Sequence, residues 1–137
     1  IYAVTTVPPV PETVKFPRSF TYMDWHFSKV TRVMQQQYGL GFYSPIVYHL
    51  APRYYRDGLA HPRRQVTIMQ VAPMDKNGYF NFGLQNSETM GKIEMSEHVI
   101  VEVNPNMPIA YGGNEENIHI SRVSAIVEAS KDQTLAA

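Results

Sequence analysis

The chain has 137 residues, 44% hydrophobic and 18% charged, a balance that fits one folded domain with a core and argues against a disordered chain. Twelve basic and twelve acidic residues leave a net charge of zero, which argues against a nucleic-acid footprint or a polybasic membrane contact. There is no cysteine, so disulfides, cysteine-based zinc sites and a thiol nucleophile are ruled out, and a reducing, cytoplasmic setting is expected.

No apolar run approaches transmembrane length. The chain starts inside a β-like run, without an initiator Met or a signal peptide, and is expected to be a fragment or a processed product.

In chain order, residues 1–7 are β-branched and aromatic and read as a strand, stopped by Pro8, Pro9 and Pro11. Residues 19–25 (SFTYMDW) are a second strand candidate. Ser28 stands at a helix N-cap position, and Val30, Val33, Met34 and Tyr38 follow at helical spacing up to Gly39, the expected stop. Residues 40–47 read as a short strand broken by Pro45, and residues 51–57 as one or two helical turns. Residues 66–72 form the clearest strand, with no charge, and such a run is expected to be covered on both faces as in a parallel sheet. GYFNFG at 78–83 is expected to be a turn or extended segment. Ser87 is expected to cap a helix reaching about His98, with Met90 and Ile93 inward. Residues 99–103 are the next buried strand, 121–123 a helical turn, and Ala125–Glu128 a last strand. Strands alternating with helices predict an α/β fold with an open, mainly parallel sheet and flanking helices, over one domain or part of one.

Two long polar loops follow the two apolar strands: APMDKNGYFNFG after the first and NPNMPIAYGGNEENIHIS after the second. Ligands in open α/β sheets bind outside the carboxyl ends of strands, so function is expected in these loops. The histidines (His26, His49, His61, His98 and His119) lack metal-ligand spacing, so no metal is expected. His98 is expected at a helix C-terminus, where it complements the dipole, and His119 is expected to fix loop shape. No GxSxG elbow and no Gly-rich phosphate loop is present; Gly112-Gly113 alone is a turn signal. Asp75 reads as a turn former. Glu102, inside an apolar strand, must pair or shift its pKa, and a satisfied structural role is favoured over a catalytic one. Glu115 and Glu116 are adjacent, point apart, and are poor partners for a two-carboxylate mechanism. Asn81, Gln85, Asn86, Asn104, Asn106, Asn114 and Asn117 crowd the loops. They either hold loop backbone or donate to a ligand carbonyl or carboxylate.

The ordered series APMDKNGYFNFG, VIVEVNPNMP, GGNEENIHIS and AIVE, across most of residues 66–128, resembles the acetyl-CoA hydrolase/transferase family, which includes the 4-hydroxybutyrate and butyryl-CoA:acetate CoA-transferases. YMDWHFSKVTRVMQQ and SPIVYHLAPRYYR are similar less sharply, and residues 1–17 match poorly. The resemblance implies a CoA-transferase-type N-terminal domain, of which residues 1–137 are a part, with the C-terminal domain absent from the chain.

It also implies a CoA-transferase acting on a short acyl-CoA and a carboxylate, with a glutamate nucleophile in the missing half and none in this chain. An acyl-CoA hydrolase of the same family is one alternative, and a non-catalytic fragment or scaffold half that binds a partner domain is another. Coenzyme A is then a substrate, with no permanently bound cofactor. The expected partners are the C-terminal half of the same protein and further copies in a homo-oligomer, with neither nucleic acid nor membrane. The residues expected nearest the cleft are Asn81, Phe82, Gly83, Gln85, Asn86, Asn106, Met107, Pro108, Gly112 and Gly113.

Overall fold

The computed structural model describes residues 2–3, 15–25, 27–54, 56–57 and 65–130. The chain divides into two units, Ile1–Tyr48 and His49–Ala137.

In the first unit, β1 (Tyr2–Ala3), β2 (Met23–Asp24) and β3 (Phe42–Tyr43) pair in parallel in the order β1-β2-β3. Helix α1 (Lys29–Tyr38) starts where the sequence predicts: Ser28 Oγ accepts the Thr31 N–H at 3.2 Å. It stops at Gly39, whose φ of 63° is the left-handed conformation that glycine adopts without strain. Thr31 Oγ1 donates to the buried Asp24 carboxylate at 2.6 Å and ties the first turn of α1 to β2. Met34 packs with Tyr22 and Leu40 in a small core. The strand expected at 19–25 narrows to two residues. The Ser19 N–H closes a turn on the Phe16 carbonyl, and each neighbouring strand offers two residues to pair. The strand expected at 40–47 narrows likewise, because Leu40 is drawn back by its N–H bond to the Met34 carbonyl. Most of residues 1–7 lie outside the described residues.

The second unit opens with a short helix, α2 (Ala51–Tyr54), in which Pro52 sits in the first turn, where no intrahelical N–H is needed. Strands β4 (Val66–Val71), β6 (His98–Val103) and β8 (Ala125–Glu128) form a parallel sheet in the order β4-β6-β8. Helix α3 (Thr89–Glu94) joins the first two. Strand β5 (Tyr79–Asn81) pairs antiparallel with β7 (Asn117–His119). The core brings together Val71, Phe80, Phe82, Ile93, Val99, Val101 and Ile118, with Met90 against it. These residues come from β4, β6, the residues around β5, α3 and β7. Both crossover connections therefore fill the same face of the sheet. Among the described residues the expected cover on both faces is not supplied: Ile68 is 71% exposed, Val127 51% and Val66 49%. The α/β class with mainly parallel sheets is as predicted, and the helices are few.

Helix α3 departs from its predicted bounds at both ends. Its N-cap residue is Glu88, not Ser87, and the Ser87 hydroxyl donates to the Glu88 carboxylate. At the other end Ser96 Oγ donates to the Lys92 carbonyl at 2.8 Å. The N–H groups of Glu97 and His98 turn to the Gln65 carbonyl at 2.9 and 3.3 Å. His98 thus begins β6 and is exposed, rather than ending a helix. Among the described residues no helix is long and apolar enough to cross a membrane.

The Glu88 side chain is 3% exposed and ion-paired with Lys92 one turn on. Burial pushes its carboxyl up, but the Lys92 ammonium and the Ser87 hydroxyl outweigh burial and hold it below the ordinary value of 4.5. A depressed folded pKa adds stability that is present above the ordinary value and lost as pH falls through the depressed one. Glu88→Gln should therefore destabilise the fold by about 1–3 kcal/mol at pH 7. In urea titrations the gap from the natural chain should stay flat down to about pH 5 and close below it; a gap that persists at pH 2–3 would contradict the pairing.

Candidate functional site

Strands β4 and β6 run parallel with Val71 beside Val103, so both following loops leave from one edge of the sheet. After β4, Asp75 builds the turn that the sequence assigned to it. Its Oδ1 accepts the N–H groups of Asn77 and Tyr79 at 2.9 and 2.8 Å, and its own N–H donates to the Tyr79 carbonyl. The turn sends β5 back beside β7, where Tyr79 stands opposite His119. The His119 ring meets the Tyr79 ring edge-on at 4.9 Å, and its Nδ1 accepts the Ser121 N–H at 3.2 Å. That bond caps the short 3-10 turn Ile120–Arg122. His119 shapes the loop, as expected.

Asn81, at the end of β5, is buried and joins the two loops. Its Nδ2 donates to the Ala110 carbonyl and to Asn117 Oδ1, each at 3.0 Å. Its Oδ1 accepts the N–H of Gly83 at 2.8 Å and of Ala110 at 3.0 Å. An amide has two N–H donors and a carbonyl with two lone pairs, so all four positions are used. The orientation is also fixed, because a flipped amide would set its NH2 against two N–H donors. Asn81 is therefore committed to the loop backbone rather than offered to a ligand.

Beside it, Gly83 holds φ 57°, and a methyl group there would fall 2.5 Å from the Met107 Cγ and Sδ and 2.9 Å from the Pro108 carbonyl oxygen. Only a residue without Cβ lets the first loop lie on Met107. Met107 is buried, and its N–H donates to the carbonyl of Asn104. Asn104 is itself buried: its Oδ1 accepts the Asn106 N–H at 2.9 Å, and its Nδ2 donates to Gln70 Oε1 at 3.3 Å. Gln70 in turn donates to Glu102 Oε2 at 2.9 Å, across the β4–β6 pair. Glu102 thus has the structural partner that its place in an apolar strand required.

The second loop carries one arrangement that the sequence reading missed. Gly112 and Gly113 both donate their N–H groups to Glu116 Oε2, at 2.5 and 2.8 Å. The Gly112 N–H, then that of Gly113, hold the Glu116 carboxyl below the usual range, against a slight opposing effect of burial; Asn117 Nδ2 adds a weaker contribution. Gly113 has φ 99° with open space around it, so the turn itself requires the glycine. The signal was in the spacing G-G-x-x-E, a glycine pair with a carboxylate in reach of both N–H groups.

The predicted cleft residues separate into two sets. Asn81, Phe82, Gly83 and Met107 are buried, and Gly83 touches Met107 and Pro108. Gln85, Asn86, Asn106, Pro108, Gly112 and Gly113 are exposed, with Asn86 Nδ2 3.6 Å from where a Gly112 methyl would stand. Gln85 uses its carbonyl to accept the Thr89 hydroxyl at 3.3 Å. Leu84, Ile109 and Tyr111 stand out beside these residues at 67%, 59% and 89% exposure, an apolar rim that the sequence reading did not single out. Among the described residues, no group of three or more His, Asp or Glu side chains is placed to hold a metal ion; His26 and His61 lie outside the described residues.

The Gly83–Met107 contact is open to test. Gly83→Ala should destabilise by about 2–5 kcal/mol, from the positive φ and the overlap with Met107. Combined with Met107→Ala, the double variant should be less destabilised than the two single losses added together. Strict additivity in denaturant titrations would show that the two side chains do not meet.

Residues 9–135 match the family model for the acetyl-CoA hydrolase/transferase N-terminal domain. The chain is 46% identical over 109 residues to a butyryl-CoA:acetate CoA-transferase of Anaerostipes caccae, an overlap of 80% of this chain and 24% of that protein. It is 36% identical over 92 residues to a 4-hydroxybutyrate coenzyme A transferase of Clostridium kluyveri, covering 67% of this chain and 20% of that one. Among solved structures, RipA from Yersinia pestis superposes with a TM-score of 0.79 at 26% identity, over 93% of this chain and 31% of RipA. The chain spans about a quarter of the length of these curated relatives. By the family model and by identity to these relatives, the chain belongs to the acetyl-CoA hydrolase/transferase family and matches its N-terminal domain.

Proposed function

We propose that this chain is part of the N-terminal domain of a CoA-transferase that moves CoA between a short acyl-CoA and a carboxylate. The observation that carries the reading is the 46% identity over 109 residues to a butyryl-CoA:acetate CoA-transferase. The family match spans both strand-end loops, which are braced to each other through Asn81. On this reading the braced loops form one wall of the reaction cleft, fix the acyl group and exclude water. The apolar rim of Leu84, Ile109 and Tyr111 suits an acyl chain better than a highly charged ligand.

The chemistry proposed is covalent. A glutamate in the C-terminal domain attacks the acyl-CoA carbonyl; its C–S bond breaks, and CoA thiolate leaves a mixed anhydride. The thiolate then attacks the glutamyl carbonyl of that anhydride, releasing the donor carboxylate and forming a glutamyl-CoA thioester. The acceptor carboxylate runs the same two steps in reverse. We do not give the nucleophile's role to Glu102, which is bonded to Gln70, nor to Glu128, which ends β8 on the surface. The family description also names hydrolases, in which water takes the acceptor's place.

Incubating the whole parent protein with acyl-CoA alone should give a covalent CoA adduct by intact mass, and adding acetate should discharge it. No adduct, with CoA released at one rate with or without acetate, would favour the hydrolase reading instead. In the parent protein, Asn81→Ala and Met107→Ala should each lower kcat/KM by about ten- to a hundredfold through misplacement of the wall. Unchanged kinetics in both would contradict the assignment of these loops to the cleft.

A further inference from the structure

We propose that Glu102 sets the conformation of the second strand-end loop through two amides in series, Gln70 and Asn104. That makes it a positioning residue for acyl transfer, although its carboxylate bonds to β4 rather than to the loop. The inference rests on the proposed reading of that loop as part of one wall of the cleft.

The chain of bonds has one direction. A carboxylate only accepts hydrogen bonds and a backbone N–H only donates, whereas a side-chain amide accepts at its oxygen and donates at its nitrogen. Glu102 Oε2 accepts from Gln70 Nε2 at 2.9 Å, which turns Gln70 Oε1 toward Asn104. There it accepts from Asn104 Nδ2 at 3.3 Å. Asn104 Oδ1 is thereby left facing the Asn106 N–H, which it accepts at 2.9 Å. With an acceptor-only group at one end and a donor-only group at the other, turning either amide sets like groups against each other. Strand register makes the chain possible: Gln70 lies beside Glu102, and Asn104 follows two residues later on the same face.

Burial makes the direction matter. Asn104 is 1% exposed, so an amide turned the wrong way there has no water to replace its lost bonds. Its backbone carries the loop as well: its N–H continues the ladder to the Val71 carbonyl at 2.9 Å, and its carbonyl accepts the Met107 N–H at 3.0 Å. Met107 is buried where Gly83 leaves room for it, so a shift of Asn104 reaches the first loop too. The six-residue β4–β6 pairing is made by backbone groups. Polarity at position 102 can therefore be changed while the two strands stay paired.

The test uses the whole parent protein and reads amide hydrogen exchange at Asn106 and Met107, together with kcat and KM for transfer from butyryl-CoA to acetate. Glu102→Lys replaces the acceptor by a donor. Exchange at Asn106 should rise about tenfold or more with β4 and β6 still protected, and kcat should fall about tenfold or more with KM within about twofold. Glu102→Gln, which can still present an oxygen to Gln70, should keep both near their natural values. The double variant Glu102→Lys with Asn104→Asp reverses the chain from end to end. The lysine donates to Gln70 Oε1, Gln70 Nε2 donates to the new carboxylate, and that carboxylate accepts the Asn106 N–H. It should recover the protection of Asn106 and most of kcat. Unchanged exchange at Asn106 in Glu102→Lys, equal damage from Glu102→Gln, no recovery in the double variant, or a released Asn106 with kcat unchanged would each overturn the inference. If Glu102→Lys does not fold, Glu102→Leu carries the comparison with Glu102→Gln, since it offers Gln70 no acceptor and should also release Asn106. Exchange is read without turnover, so a chain of bonds that behaves as stated in a parent without transferase activity would refute only the functional reading.

Discussion

A single side-chain amide decides the geometry of the strand ends. Asn81 takes one N–H from its own loop, at Gly83, and both an N–H and a carbonyl from the other, at Ala110, and it also donates to Asn117. A buried loop must satisfy its backbone groups, and two loops that share one amide must keep a fixed spacing. Everything nearby follows from that spacing. Gly83 can rest on Met107 only while the loops stay this close, and Glu116 can accept the Phe82 N–H on its carbonyl while its carboxylate holds Gly112 and Gly113. Loops of this kind are rigid because their polar groups are spent on each other, and the proposed role in positioning a substrate requires that rigidity.

Much of this was legible from residue types. Ser28 and Gly39 bound α1 as their side-chain chemistry dictates, and Asp75 and His119 act on their own loop backbones. The strands after residues 65 and 97 followed from unbroken apolar runs, and the family from the order of four short motifs. Other features depended on partners distant in sequence. Nothing local says that Ser96 takes the Lys92 carbonyl and so ends α3 before His98. Nor does local pattern show that Asn81 is filled by Ala110 and Asn117, which lie 29 and 36 residues away. An asparagine waiting for a ligand and one committed to a neighbouring loop look alike in a sequence.

The sheet shows the same limit in another form. An uncharged run predicts cover on both faces, and that is sound for a complete parallel sheet. Here both crossovers pack on one side, so the run signals a requirement that the described residues of the second unit do not themselves meet. The Asn104–Gln70–Glu102 chain of hydrogen bonds links that open face to the strand-end loops, since Asn104 also orders Asn106 and Met107. The open face and the strand-end loops are thus joined by one row of polar side chains.

The central claim is that the two strand-end loops form one braced unit. It is tested most directly by amide hydrogen exchange at Gly83 and Ala110, which lie in different loops and donate to the same Asn81 oxygen. The account predicts strong protection at both in the natural protein and a joint loss at both in Asn81→Ala, with β4 and β6 still protected. If only one of the two amides is released, or neither, the loops are held separately and the account fails.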